Sequence, residues 1–139
     1  MRGIRVLVSA GPTWEAWDAI RIITNRSTGA MGYAIAEAFR DAGARVTLVS
    51  GPVTRPAPRG VRVVRVESAR EMLRAMLRES RRARIVVGTA AVADYRPVRV
   101  SHEKIKKTHG LVTLRLVRNP DILATLGRRF GGLRRGGPL

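Results

Sequence analysis

The rhythm of the chain is its strongest constraint: short apolar runs alternate with amphipathic helical patterns. The runs Ile4 to Ser9, Arg45 to Ser50, Val61 to Val66 and Arg84 to Gly88 are strand-like and end at glycine, proline or small residues. Between the first two, Met31, Ala34, Ile35, Ala38 and Phe39 fall on one face of a helix, which Gly43 stops as its C′ residue. Between the last two, Ser68-x-x-Glu71 is a capping box opening a helix with Met72, Leu73, Met76 and Leu77 on one face. The run Ile85-Val86-Val87 reads as a strand buried on both faces. The predicted fold is therefore α/β, a Rossmann-like open parallel sheet with helices on both faces. At 139 residues and 45% hydrophobic content the chain can bury one such core. The domain is placed at residues 1–127, and residues 128–139 form a basic Gly/Arg-rich tail that reads as disordered.

Two segments are candidate walls of a site. Thr24 to Gly32 runs small and hydroxyl residues into a helix, with Ser27 or Thr28 as its cap. Free N–H groups at such a start, with no bulk around them, can hold an anion. Glycines there equally serve close packing of helix on sheet, and the residues leave both readings open. The segment Thr89 to Pro97 follows the fourth strand, where open parallel sheets place their ligands. Its alanines and Asp94 fit either a site wall or a tight crossing.

The intervening segment Trp14 to Thr24 has no clean period and reads as a loop or short helix. Val98 to Val117 departs from the α/β rhythm. There Val112, Leu114 and Leu116 alternate with Thr113 and Arg115 as a half-exposed strand, within a β-excursion carrying the loop Lys104 to Lys107. Asn119-Pro120-Asp121 predicts a helix to about Leu126, with Asn119 as N-cap, Pro120 first and Asp121 on the dipole.

The net charge of +17 raises a nucleic-acid reading. Only 4% of the residues are aromatic, so no stacking platform interleaves the cations, and nucleic acid is expected to bind only non-specifically. Of the 27 basic side chains three are lysine, and all three lie in Lys104-Ile105-Lys106-Lys107. A chain that otherwise uses arginine keeps there the compact point charge that suits a reacting phosphate. His102 and His109 flank this loop without metal-ligand spacing and read as solvated. The chain has no cysteine, hence no disulfide or thiolate site. No stretch is long enough for a bilayer span or signal peptide, so no membrane association and a cytoplasmic location are expected.

Five ordered stretches together resemble one family. They are Ser9-Ala10-Gly11-Pro12-Thr13-x-Glu15-x-x-Asp18-x-x-Arg21, Asn25-Arg26-Ser27-Thr28-Gly29-x-Met31-Gly32, Ala90-Ala91-Val92-Ala93-Asp94-Tyr95-Arg96, the lysine loop, and Asn119-Pro120-Asp121-Ile122-Leu123. In order and spacing they resemble phosphopantothenoylcysteine synthetase of coenzyme A biosynthesis. The resemblance implies a ligase that joins 4′-phosphopantothenate to cysteine. An acyl-nucleotide forms from CTP (the favoured, bacterial type) or ATP with release of pyrophosphate, and Mg²⁺ accompanies the triphosphate. It assigns Lys104 to the developing charge at the α-phosphate and Asn25 to the acyl intermediate. Gly88, Thr89, Ala90, Asp94, Lys104, Pro120, Asp121, Ile122 and Leu123 would contact the nucleotide. Gly11, Arg21, Asn25, Ser27, Thr28 and Gly29 would hold phosphate or substrate, and no side-chain site for a metal is evident. It further implies a homodimer and a phosphopantothenoylcysteine decarboxylase as partner.

The chain departs from the family at Trp14, usually Arg, and at Ala16 and Ala19, usually Pro. Family domains also continue past the point where Leu139 stands, so a truncated, inactive remnant is one alternative reading. A polyanion-binding domain is a second. A nicotinamide-binding oxidoreductase is disfavoured, because a long segment separates the first strand from the glycine turn and no G-x-G-x-x-G is present.

Overall fold

A computed structural model of the chain describes residues 1–107 and 110–130. His109 and tail residues 131–139 lie outside the described residues. In chain order the elements are β1 (Arg5–Ala10), β2 (Glu15–Ala16), β3 (Ile22–Ile23), α1 (Ala30–Asp41), β4 (Arg45–Ser50) and β5 (Arg62–Arg65). There follow α2 (Ala69–Ser80), β6 (Ile85–Gly88), β7 (Tyr95–Pro97), β8 (Leu116–Arg118) and α3 (Ile122–Arg129).

The main sheet has the order β5-β4-β1-β6, and every pairing is parallel. Side-chain alternation along the central strands divides the core. Val6 and Val8 of β1, with Val46 and Leu48 of β4, face α1 through Tyr33 and Ala36. Leu7 and Val49 point the other way and pack on Met72 and Met76 of α2 and Ile122 and Leu126 of α3. Both faces of the sheet are thus covered by helices, as the strand–helix rhythm predicts. Each fully buried valine or leucine contributes roughly 1.5–3 kcal/mol of transfer free energy.

The capping box forms: Ser68 Oγ accepts from Glu71 N at 3.1 Å. Its return arm reaches one residue further back than expected, Glu71 Oε2 accepting from Glu67 N at 2.9 Å. Gly43 adopts φ 94 beyond the last turn of α1, as a C′ glycine should.

Several local expectations are corrected. The buried face of α1 is Gly32, Tyr33 and Ala36, with Ile35 and Phe39 half-buried, while Met31, Ala34 and Ala38 are exposed. The reason is Gly32: a Cβ there would collide with Ala10 Cβ and Thr89 Oγ1, so the helix comes closest to β1 at its glycine and rotates its apolar face accordingly. Neither Ser27 nor Thr28 is the N-cap. Gly29 takes that position with φ 79 and supplies no side-chain bond. The run Ile85-Val86-Val87 is half-buried, because β6 is the edge of the sheet among the described residues.

Residues 15–23 form a small antiparallel hairpin of β2 and β3, in place of a loop or short helix. Among the described residues of the excursion only Leu116–Arg118 forms a strand, antiparallel with Tyr95–Pro97, and Val112 and Leu114 belong to none. Leu111 and Val112 are 99% and 60% exposed, so among the described residues alternation there has little face to bury. The last helix is capped by Asp121, whose Oδ1 accepts from Ala124 N at 3.0 Å, and it runs to Arg129, two residues into the segment assigned to the tail. Asn119 is not its cap; it is buried and serves another purpose.

Candidate functional site

The parallel strands deliver their C-terminal ends to one rim, where β1 leads into Gly11-Pro12-Thr13 and β6 into Thr89 to Asp94. A cavity of about 440 Å³ opens there. One wall is Ser9, Gly88, Ala90 and Val92 to Asp94; the other is Arg118 to Leu123, at the N-terminus of α3. Gly88 lets the second wall come close: a Cβ there would stand 2.6 Å from a methyl of Leu123, which would have to move aside.

Asn119 joins the walls. Its backbone N donates to Asp94 O at 2.7 Å, and its Nδ2 donates to Ala93 O at 2.7 Å and to Glu15 Oε1 at 3.1 Å. Its Oδ1 accepts from Arg96 Nη1 at 3.0 Å. Glu15 also accepts from Ala69 N at 3.1 Å, placing a carboxylate on the first turn of α2, where the helix dipole favours it. Thr13 is fully buried, and its Oγ1 accepts from Ala93 N at 2.9 Å.

Behind the first wall lies the 25–29 turn. Asn25 donates a short hydrogen bond from Nδ2 to Ala91 O, while its Oδ1 accepts from Ser27 N at 3.0 Å. Ser27 Oγ accepts from Gly29 N at 3.3 Å and Thr28 Oγ1 from Ala30 N at 3.4 Å. Gly29 sits against the Cα of Gly11, also a positive-φ glycine, so the start of α1 packs on the end of β1. The close-packing role of these glycines is therefore realised. The first N–H groups of α1 beyond Ala30 have no side-chain cap, which keeps the anion role compatible with it.

The lysine loop belongs to the β2–β3 hairpin. Asp18 Oδ1 accepts from Ile20 N and Arg21 N at 2.9 and 2.7 Å, closing the turn. Its Oδ2 accepts from Arg21 Nη2 at 2.6 Å and from Ile105 N at 3.1 Å. Arg21 then donates to Ile105 O at 2.9 Å and stacks on Trp17, its Cζ 4.4 Å from the ring centroid. The Arg21 guanidinium beside Asp18 holds that carboxyl well below the usual carboxylate range, outweighing burial, with the backbone N–H groups adding to the effect.

Of the residues the resemblance assigns to nucleotide, Gly88, Ala90, Asp94, Pro120, Asp121, Ile122 and Leu123 line the one cavity. Thr89 does not: its Oγ1 donates to Ser9 O at 2.6 Å and faces α1. Lys104 is exposed on its loop, outside the cavity lining. Arg21 spends its guanidinium on Asp18 and Ile105. Among the described residues no three acidic or histidine side chains converge on a possible metal position. None of their helices is long and apolar enough to cross a membrane.

Sequence reasoning missed Asn119 as the joint of the site and the buried carboxylates Glu15 and Asp18 as its supports. Carboxylates in a segment without period look solvated, and only their place within the family-like stretch marked them.

Residues 1–132 match the family described as the DNA/pantothenate metabolism flavoprotein C-terminal domain. The chain is 46% identical over 127 residues to the coenzyme A biosynthesis bifunctional protein CoaBC of Haemophilus influenzae, covering 91% of this chain and 32% of that protein. It is 50% identical over 126 residues to the CoaBC of Vibrio cholerae, covering 89% and 32%. The solved C-terminal domain of a CoaBC superposes with a TM-score of 0.81 at 45% identity, over 92% of this chain and 60% of that one. The chain thus spans about a third of the length of the curated relatives it matches. With its parallel sheet, its strand-end cavity and its ordered motifs, the chain belongs to the DNA/pantothenate metabolism flavoprotein C-terminal domain family, the phosphopantothenoylcysteine synthetase type found in CoaBC.

Proposed function

We propose that the chain carries the ligase chemistry that joins 4′-phosphopantothenate to cysteine, with CTP favoured over ATP as co-substrate. The observation that carries this reading is the convergence of Gly88, Ala90, Asp94 and Pro120 to Leu123 on one cavity at the strand ends. In the first step a carboxylate oxygen of phosphopantothenate forms a bond to the α-phosphorus. The α–β bridge breaks, and pyrophosphate leaves with the electron pair. In the second the cysteine amine forms the C–N bond, loses a proton, and the nucleoside monophosphate departs with the acyl oxygen.

Charge grows on the α-phosphate oxygens in the first step, and the Lys104 ammonium is the group assigned to it. Asn25, held on both sides by Ala91 O and Ser27 N, can offer its remaining N–H to the acyl group. A magnesium ion would arrive with the triphosphate and keep several of its waters, with Asp94 and Asp121 the carboxylates in the cavity lining. When bound it neutralises triphosphate charge. In this reading the protein works as a homodimer and meets a decarboxylase that consumes its product, both carried over from the family.

The test is pyrophosphate release with 4′-phosphopantothenate, Mg²⁺ and either CTP or ATP, without cysteine and then with it. Release that requires phosphopantothenate, prefers CTP and falls about 100-fold or more in Lys104→Ala supports the reading. Nucleotide turnover independent of phosphopantothenate overturns it.

A further inference from the structure

We propose that Asp18 is a positioning residue for Lys104, acting through Arg21 and the backbone of Ile105; this rests on the ligase reading above. The two carboxylate oxygens of Asp18 divide their work. Oδ1 serves only its own turn, through Ile20 N and Arg21 N. Oδ2 accepts from Arg21 and from Ile105 N, 87 residues away in the chain. Arg21 completes the clamp by donating to Ile105 O, so both backbone polar groups of Ile105 are held by one ion pair. Ser101 N, at the base of the loop, donates to Trp17 O on the same turn.

Exposed loops gain little from local contacts, and Lys104, Ile105, Lys106 and Lys107 are all exposed. The backbone on either side of Ile105 carries Lys104 and Lys106, so the clamp fixes where those ammonium groups start from. The same hairpin leads through Ile22–Ile23 to Asn25. One short segment therefore anchors both residues assigned to the chemistry, and their relative placement is set by a buried carboxylate that touches neither.

The division of oxygens supplies the test. Asp18→Asn keeps a carbonyl for the turn and replaces the acceptor that holds Ile105 and Arg21 by a donor. All lysines of the chain lie in this loop, so a lysine-specific endoprotease reads loop opening directly and without any substrate. In Asp18→Asn, cleavage in the loop should accelerate about tenfold, as expected when charged hydrogen bonds holding it are lost. The kcat for pyrophosphate release should fall about 10- to 100-fold with the nucleotide KM changed less than about twofold, and the substitution should add nothing in a Lys104→Ala background.

Ile105→Pro removes the loop's donor, with proline's restriction of its own φ and of Lys104 added, and leaves the Asp18–Arg21 ion pair whole; it should accelerate cleavage after Lys106 and Lys107 likewise, which guards against a misfolded Asp18 variant. Unchanged cleavage in both variants overturns the clamp. Accelerated cleavage with unchanged kcat, or a loss additive with Lys104→Ala, overturns the positioning role. If no variant, wild type included, turns over nucleotide, the ligase reading fails, and the protease comparison alone decides whether Asp18 clamps the loop.

Discussion

Glu15 and Asn119, 104 residues apart in the chain, meet in the interior through a hydrogen bond of 3.1 Å from Nδ2 to Oε1. Glu15 is 2% and Asn119 7% exposed. The pair ties the β2–β3 hairpin, the start of α2 and both walls of the cavity into one polar cluster. Among the described residues no buried side-chain polar atom lacks a partner, so removing one member leaves another unsatisfied. Asn119→Ala should cost about 3 kcal/mol and lower Tm by roughly 10 °C, measured by urea and thermal unfolding. A loss under about 1 kcal/mol would show that the cluster does not hold the walls.

Gly32→Ala should destabilise the fold even though alanine is the better helix former by up to about 1 kcal/mol. The new Cβ lies 3.1 Å from Ala10 Cα and runs into Ala10 Cβ and Thr89 Oγ1, none of which is the loose end of a long side chain. A net cost of about 1–3 kcal/mol is expected in chemical denaturation. A stabilised variant would mean that α1 can slide away from β1.

Gly88→Ala should behave in the opposite manner. The three atoms nearest its Cβ all belong to the side chain of Leu123, which is 52% exposed and can swing outward. Stability should change by less than about 1 kcal/mol, while the reshaped wall raises the nucleotide KM about tenfold or more. Unaltered KM in a folded variant would move nucleotide binding away from this cavity.

Asp18 makes the fold acid-sensitive in a definite sense. Its folded carboxyl titrates below an unfolded aspartate, which titrates near about 3.9. The stability it contributes is therefore fully present above that value and is lost as pH falls below it. Between pH of about 5 and 3, Tm should drop further in the wild-type chain than in Asp18→Asn, which has no such proton to take up. Parallel curves for the two proteins would assign acid sensitivity to other groups.

The α/β rhythm was legible because it is written in local pattern. Arg45–Ser50 falls where its apolar run stands, and the Ser68 cap of α2 follows from residues three apart. Gly88, Ala90, Asp94 and Pro120 to Leu123 were legible through the family-like motifs, and they meet in one cavity. The face of α1 was misread because periodicity counts apolar side chains, whereas the contact with β1 is made at a glycine. Asn119 was misread because a helix cap and a buried polar joint use the same residue type, and Asp121 stood two positions on to take the cap.

The sequence by itself determined the main alternation of strands and helices and the strand ends at which the cavity opens. Tertiary structure alone decided which polar groups meet: Asn25 with Ala91, Asp18 with Ile105 and Glu15 with Asn119 are 66, 87 and 104 residues apart. The physical reason is range. Helix period, capping and turn preference act over a few residues, while a buried carboxylate is tolerated only where distant segments bring donors to it.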